Sequence, residues 1–323
     1  MEQLRRRMNV KLLAALLVTL LAFTTVACQP AFKYTKAPED DMQYLLNMYD
    51  HEQMMSWIQD LTSEEYSGRE ACTEYEDLTG DYIIELLQSF GLEPWREAGF
   101  TDYRHAFDAH KTQPAENIIA VLPGKSSEKY LLIGAHYDHL GVTDGILYPG
   151  ADDNAVGAGA VLELARIFSQ SELTPDISIV FVLFSAEELG LVGSQALVKH
   201  LERQKLQEQV VLLNLDVIAG ASGDTLVVYD SGYKGNKTWA KIAEQEAAAS
   251  GVKARIDNRL AGGVDSMAFT MRNLPAITLV WGDLREEHPH IHQPTDTFEN
   301  LNSEIVEAAT KAAIRIAWVF ANQ

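Results

Sequence analysis

The sequence predicts an α/β protein in which a mixed, mostly parallel β-sheet is sandwiched between helices in a single domain. Short apolar segments alternate with stretches of helical periodicity along most of the chain, as expected for strands and the helices that cover them. One run, Ile177–Phe184, is almost continuously apolar and indicates a strand buried on both faces. Hydrophobic residues make up 47% of the 323 residues. That share excludes intrinsic disorder for most of the chain.

The individual elements follow from the same patterns. Apolar residues recur at helical spacing between Asp40 and Phe90, which predicts helices ahead of the sheet. Strands are predicted at Asn117–Leu122, Tyr130–Ala135, Ile177–Phe184, Val210–Val217, Thr225–Tyr229 and Ala276–Trp281. Core helices are predicted at Ala155–Ser169, Leu189–Glu202, Lys237–Ser250, Asp265–Met271 and Ser303–Ala321.

The charge balance excludes one class of partner. The chain has 26 Lys and Arg against 46 Asp and Glu, a net charge of −20. Nucleic-acid binding depends on basic side chains that neutralise phosphates, so we expect no nucleic-acid partner. The acidic net charge indicates nothing further about function, because many proteins carry acidic surfaces that only keep them soluble.

The N-terminus has the pattern of an export signal. Basic residues precede an apolar stretch from Leu12 to Ala27, which is shorter than the roughly 20 residues of a membrane span. The stretch ends in Thr25–Cys28, similar to a bacterial lipobox, so we expect lipidation of Cys28. The alternatives are an ordinary signal peptide or an uncleaved anchor. The predicted organisation is a signal peptide (1–27), a tether (28–39) and a catalytic domain (40–323) with a helical part (40–115) and a core (116–322). The protein would then be exported and held to the cell envelope by its lipid, on the periplasmic or extracellular face.

Polar residues that carry chemistry follow the predicted strands. The strand Tyr130–Ala135 leads into His136 and Asp138, which lie on the same face of an extended segment. An imidazole there can bind a metal with one nitrogen and donate to a carboxylate with the other. Alone, such a pair is more often a hydrogen-bonded surface pair.

Four further clusters each have an ordinary explanation as well as a functional one. Asp152 and Asp153 precede a helix that starts with small residues, where they could simply be caps. Glu187 and Glu188 follow a buried strand, where a helix dipole would favour them. A carboxylate at Asp216, inside an apolar strand, is costly unless it is paired or coordinated. The loop after Ala276–Trp281 contains three histidines, at 288, 290 and 292.

Taken together, five strand ends supply a metal-ligand set: His136, Asp152, Glu188, Asp216 and His292. Nitrogen and carboxylate ligands without thiolate suit zinc and exclude a structural cysteine site. Three carboxylates and one hydroxide balance two divalent cations, so the charge count favours two ions over one.

At these residues the sequence resembles the co-catalytic di-zinc aminopeptidases, the M28-type metallopeptidases. The resemblance covers roughly Asn117–Ala321, and Tyr66–Arg69 resembles part of the family's N-terminal helices. Its motifs are Gly134–His139, Gly150–Ala155, Ala186–Gly190, Asn214–Asp216 and Ile291–His292 followed by Asp296–Thr297. The family fold is a mixed sheet between helices.

The resemblance implies a role for each of these residues. His136 and Asp216 would hold one zinc, Glu188 and His292 the other, and Asp152 would bridge them with a cis bond to Asp153. Asp138 would orient His136. Glu187 would be the general base for hydrolysis of the first peptide bond of a substrate with a free N-terminus.

One departure from the family pattern concerns the substrate pocket. Many members have Ser-Asp-His before a pocket helix, where this chain has Val264-Asp265-Ser266. Asp265, Ser266 and Met267 are therefore the candidate pocket residues.

Three alternatives to an aminopeptidase stay open. A glutaminyl cyclase of the same fold would bind a single zinc. A carboxypeptidase or dipeptidase would need a basic group, such as Arg259, Arg272 or Arg285, for the substrate carboxylate. A non-catalytic lipoprotein would not need the complete ligand set.

Overall fold

The computed structural model describes residues 36–260 and 262–323. The predicted signal peptide and Cys28 lie outside these residues, and the boundaries at 27 and 39 stay predictions. None of the described helices is both long enough and apolar enough to cross a membrane.

The α/β prediction is confirmed by an eight-stranded sheet. In chain order the strands are β1 (Arg104–Phe107), β2 (Ala115–Leu122), β3 (Ser126–His136), β6 (Ile177–Phe184), β7 (Val210–Leu215), β8 (Thr225–Tyr229), β9 (Lys253–Asp257) and β10 (Ala276–Trp281). Their spatial order is β1-β2-β6-β3-β7-β10-β8-β9. The four central strands β6, β3, β7 and β10 are parallel. Strands β4 (Gly141–Thr143) and β5 (Ile146–Tyr148) form a separate hairpin.

Eight α-helices accompany the sheet within the described residues. They are α1 (Glu39–Asn47), α2 (His51–Leu61), α3 (Glu74–Ser89), α4 (Val156–Gln170), α5 (Val192–Gln204), α6 (Lys237–Ala249), α7 (Ser266–Thr270) and α8 (Ser303–Ala321). Helices α4 and α8 contact the central strands β3 and β6. Residues of α5 and α7 share an apolar core with the sheet that includes Phe184, Leu201 and Phe269. Both layers therefore bury apolar surface against the sheet, which is the main source of its stability.

The six predicted strands are present, whereas the two edge strands β1 and β9 were not predicted. Strand β9 reads Lys253-Ala254-Arg255-Ile256-Asp257 and is only partly buried. Charged residues on an edge strand oppose pairing with other chains and weaken the alternating pattern that sequence reasoning uses. Helix α5 begins at Val192 rather than at Leu189, because a turn with positive φ at Ala186 and Leu191 comes first.

The chain order of the central strands determines where a site can form. From β3 the chain crosses to its neighbour β6, and from β6 it returns to β7 on the other side of β3. Such a reversal opens a crevice at the carboxyl ends of parallel strands, where ligands bind in sheets of this kind. The ends of β6, β3, β7 and β10 meet at that edge.

A buried histidine on β1 gives the fold a pH-dependent stability. The side-chain oxygen of Asn117 accepts from the Ser185 amide (3.0 Å), which fixes the orientation of the Asn117 side chain. Its Nδ2 therefore donates to the Gly193 carbonyl (2.9 Å) and to Nδ1 of His105 (3.1 Å). His105 must be neutral to accept this bond, and burial lowers its pKa from 6.5 to about 4.

We expect the contribution of His105 to the free energy of unfolding to become less favourable as the pH decreases from about 6.5 to about 4. In that range the unfolded chain binds a proton at His105 and the folded chain does not, so protonation favours unfolding. The shift corresponds to about 3 kcal/mol. Urea unfolding of the wild type and of His105→Phe at several pH values checks this, since their difference isolates the histidine. A difference that does not change with pH would contradict the assignment.

Candidate active site

Side chains from the five predicted site segments converge at the carboxyl ends of the four central strands. His136 is the last residue of β3, and Asp216 directly follows β7. Glu188 follows β6, Asp153 lies in the turn Ala151–Ala155 before α4, and His292 lies in the loop after β10. Parallel neighbouring strands thus bring together residues that are as many as 156 positions apart in the sequence.

One group of donor atoms forms around His136. Its Nε2 lies 3.2 Å from Oδ1 of Asp153 and 3.4 Å from Oδ1 of Asp216. All three side chains are buried. We refer to the space between these atoms as position A.

A second group forms around His292. Its Nε2 lies 3.0 Å from Oδ2 of Asp153 and 3.3 Å from Oε2 of Glu188. The His292 side chain is about half exposed (52%), so this group opens toward solvent. We refer to it as position B. Asp153 directs one oxygen to position A and the other to position B, as a bridging carboxylate would.

The structure places Asp153, and not the predicted Asp152, between positions A and B. Oδ2 of Asp152 lies 2.5 Å from Nδ1 of His288, and Oδ1 accepts from the Ala219 amide (3.1 Å). Both carboxylate oxygens of Asp152 therefore bond to groups outside positions A and B. The cis peptide bond likewise joins Asp153 to Asn154, not Asp152 to Asp153.

Neighbouring side chains fix the turn that carries Asp153. The carboxylate of Asp296 accepts from the amides of Asp152 (2.9 Å) and Asp153 (3.1 Å). Asn154 donates to the Leu215 carbonyl at 2.9 Å, which ties the turn to the end of β7. Gly157 makes this approach possible, because a Cβ there would lie 2.3 Å from the Asn154 side chain.

Asp138 acts mainly on the loop after β6. Its carboxylate accepts from the amides of Glu187 (3.1 Å) and Glu188 (3.3 Å). Nδ1 of His136 lies 3.1 Å from the main-chain carbonyl of Asp138 but 3.8 Å from its carboxylate. The main-chain carbonyl of Asp138 therefore orients His136, whereas the Asp138 carboxylate fixes the main-chain amides of Glu187 and Glu188.

The carboxylates leave the site short of positive charge. Burial opposes protonation of His136, but Asp216 and neighbouring carboxylates raise its pKa well above the usual value. Hydrogen bonds with Asp153 and Glu188 raise the pKa of His292 to about 10. Burial raises the pKa of Glu187 to about 10, with Asp265 and Asp216 adding to the effect. The carboxylates that raise the pKa values of these histidines would also favour a bound cation.

The donor set fits zinc. Zinc bonds to nitrogen and oxygen are about 2.0–2.1 Å long, so two ligands of a tetrahedral ion lie about 3.3 Å apart. The nitrogen–oxygen separations at positions A and B lie between 3.0 and 3.4 Å. Each position combines one imidazole with carboxylates, a combination that zinc prefers over calcium or magnesium.

A cavity of about 260 Å³ opens beside these groups. Glu187 lines it next to the ligand residues, and its other side chains are mainly apolar. These are Leu191, Val217, Val264, Leu284 and Ile291. No lysine or arginine is among its described lining residues.

The predicted pocket residues lie just beyond the wall. Gly262, Gly263 and Val264 line the cavity, whereas Asp265, Ser266 and Met267 are not among its lining residues. Asp265 is buried beside Ser194, where burial raises its pKa to about 7. The Ser266 hydroxyl accepts from the Thr278 hydroxyl at 2.6 Å, which turns it toward β10.

The basic residues considered for a substrate carboxylate are engaged elsewhere or lie off the cavity. Arg272 pairs with Glu202, and Arg259 pairs with Asp257. Arg285 is exposed and is not among the described residues that line the cavity. Recognition of a C-terminal carboxylate by these side chains therefore has no support in the structure.

Two residues near the site were not identified from the sequence as parts of it. Arg69 is fully buried and donates to the carbonyls of Leu61, Tyr137, Pro149 and Gly150 at 2.6–2.9 Å. His139 is buried, and its Nδ1 lies 2.9 Å from Oε1 of Glu188. Both lie within segments that carried the family resemblance, which was the available signal.

Comparison with known proteins agrees with this geometry. The sequence model of a protein family, described as Peptidase family M28, matches residues 117–317 of this chain. The chain is 28% identical over 205 residues to aminopeptidase YwaD of Bacillus subtilis, covering 62% of this chain and 44% of that protein. It is 26% identical over 254 residues to a probable lipoprotein aminopeptidase, LpqL, of Mycobacterium tuberculosis. That alignment covers 68% of this chain and 48% of the relative. The match thus spans less than half the length of these two relatives.

The fold also matches a solved structure. The LapA aminopeptidase of Legionella pneumophila superimposes with a TM-score of 0.76 at 23% identity, covering 92% of this chain and 78% of that one. At this level of identity the likeness supports the fold alone.

Proposed function

This chain belongs to peptidase family M28, and we propose that it is a zinc aminopeptidase that removes the N-terminal residue of peptides. The observation that carries the proposal is the Asp153 carboxylate, whose two oxygens face two separate imidazole–carboxylate groups. Two positions that share a carboxylate are the arrangement of co-catalytic metal sites.

The proposed ligands follow from the geometry. His136 and Asp216 would hold one zinc at position A, Glu188 and His292 would hold the other at position B, and Asp153 would bridge them. When bound, the ions would polarise the substrate carbonyl and lower the pKa of the attacking water.

Glu187 is the proposed general base. Its side chain faces the cavity beside both positions, and the Asp138 carboxylate fixes its main chain. It would take a proton from water and then transfer it to the leaving amine, so that no net proton is gained or lost at Glu187. Its raised pKa in the ion-free protein reflects burial and the carboxylates around it, and bound cations would lower that pKa.

The cavity favours exopeptidase action on an apolar residue. Its volume of about 260 Å³ lies below the usual range for ligand pockets, which suits one amino-acid side chain. Its apolar wall, which includes Leu191, Val264 and Ile291, would accept leucine better than a charged residue.

Cellular location is also a proposal. The pattern at Cys28 supports export and lipid attachment, and the name of the relative LpqL refers to a lipoprotein. Labelling with a fatty-acid analogue would test it, and loss of the label in Cys28→Ala is the expected result.

Activity measurements test the proposal directly. We expect the purified protein to bind two zinc ions per chain and to cleave leucine anilide at least tenfold faster, in kcat/KM, than glutamate anilide. A chelator should abolish the activity and zinc should restore it. Peptides with N-terminal glutamine provide the decisive comparison. Their cyclisation in the absence of anilide cleavage would replace this proposal with a glutaminyl cyclase.

A further inference from the structure

Among the described residues, the ring of His139 makes one polar contact, and that contact is with the proposed ligand Glu188. Its Nδ1 lies 2.9 Å from Oε1 of Glu188, while Oε2 of Glu188 lies 3.3 Å from Nε2 of His292. The two oxygens of Glu188 are thus divided between His139 and position B.

We propose that His139 is a positioning residue, which donates its Nδ1–H to Oε1 of Glu188 and thereby directs Oε2 toward position B. The inference rests on the proposed function, because it assumes that an ion occupies position B. Glu188 has a flexible side chain, and holding one of its oxygens reduces the rotamer freedom that ion binding would otherwise remove.

The ring of His139 is held firmly enough for this role. It is 1% exposed and packs against Gly150, where a Cβ would lie 2.4 Å from its Cγ. The main-chain amide of His139 donates to the Arg69 carbonyl, and Arg69 donates to the Gly150 carbonyl at 2.9 Å. Backbone on two sides therefore fixes where Nδ1 points.

The other ring nitrogen indicates that this contact is what the imidazole provides. Nε2 of His139 is buried and has no hydrogen-bond partner among the described residues. An unpartnered buried nitrogen costs stability that an apolar side chain would not. The polar contribution of this ring is thus its bond to Glu188.

A competing role for His139 is direct coordination. One of its nitrogens lies within 4.8 Å of ligand atoms from Asp153 and Glu188. The two roles differ in what a replacement must supply: a positioning residue needs an N–H donor, whereas a zinc ligand needs a free nitrogen lone pair.

Two variants separate these roles. Leucine has a similar size and no donor, whereas the Nδ2 of asparagine is separated from Cβ by the same number of bonds as Nδ1 of histidine and carries N–H groups. The experiment measures the Kd of each zinc ion by equilibrium dialysis of the full-length protein in detergent, with circular dichroism to verify folding. His200→Asn is the matched control, because His200 bonds to the Ala98 carbonyl and does not line the cavity.

We expect His139→Leu to weaken the more loosely held ion 10–100-fold and His139→Asn to recover most of that loss. The control should match the wild type. Unchanged affinity in His139→Leu would overturn the inference, as would an equal loss in both variants, which would make His139 a ligand. A wild type that binds no zinc would overturn the proposed function itself. If the wild type binds one ion, only the two-ion proposal fails, and the variants still decide the role of His139 for that ion.

Discussion

Asp153→Asn is expected to remove zinc binding and peptidase activity, whereas Asp152→Asn should retain zinc. Asp153 offers one oxygen to each group of ligands, and an amide would replace one of these oxygens with a nitrogen that has no free lone pair. We expect kcat/KM to fall at least 10³-fold and the bound zinc to fall from two ions to one or none. Zinc content by atomic emission and anilide hydrolysis measure both effects.

Asp152→Asn is the matched control for this prediction, with a different expected defect. Asp152 pairs with the buried His288. Burial lowers the pKa of His288, but the hydrogen bond with the Asp152 carboxylate raises it, and the net effect is a raised pKa. Neutralising one member of such a pair leaves the other charge uncompensated, which costs about 3–5 kcal/mol of folding free energy. Asp152→Asn should therefore unfold at lower urea concentration but bind both ions when folded. If it loses the ions while folded and Asp153→Asn keeps them, the original sequence-based choice of Asp152 would be right.

The choice between these two aspartates illustrates what sequence reasoning could not resolve. Both are carboxylates in the same short run, so composition and spacing treat them alike. Which one faces the ligands depends on the turn, and the turn depends on contacts with Asp296 and with the end of β7. Asp296 lies 143 positions away, so no local pattern contains that information.

The central sheet was predictable for the opposite reason. Strand β6, Ile177–Phe184, is buried along its entire length, so its apolar run is a direct consequence of its environment. The polar residues after the central strands were also identifiable, because together they form a set of nitrogen and carboxylate ligands, although each cluster alone has an ordinary structural explanation. The edge strand β9 lacks such a constraint and was missed.

The role of His139 could be predicted from the sequence only in part. It lies next to Asp138 in the sequence and belongs to a segment that resembles the family, yet histidine after Asp138 has no periodic signature of its own. Its contact with Glu188 joins the ends of β3 and β6 and becomes visible only when the two strands are paired. Contacts between strand ends are therefore the part of the site that requires the fold.

Glu187→Gln is expected to lower kcat by about 10³-fold while both zinc ions remain bound. The glutamine keeps the size of the side chain and the main-chain hydrogen bond to Asp138, but it cannot accept a proton from water. Because Glu187 belongs to neither group of ligand atoms, its replacement should leave the zinc affinity near the wild-type value. Pre-steady-state anilide cleavage and zinc dialysis on the same sample separate the two quantities.

The control for this variant is Glu286→Gln, which removes one negative charge from an exposed glutamate that does not line the cavity. It should keep wild-type kcat, so a loss confined to Glu187→Gln cannot come from the change in net charge. A Glu187→Gln protein with full activity and full zinc content would refute the role of Glu187 as general base. The proton would then have to pass through another group that lines the cavity, and the ionisable candidates there are the ligand residues themselves. Zinc-bound ligands would be poor proton acceptors because their lone pairs would be engaged, and for this reason we propose Glu187, rather than a ligand residue, as the general base.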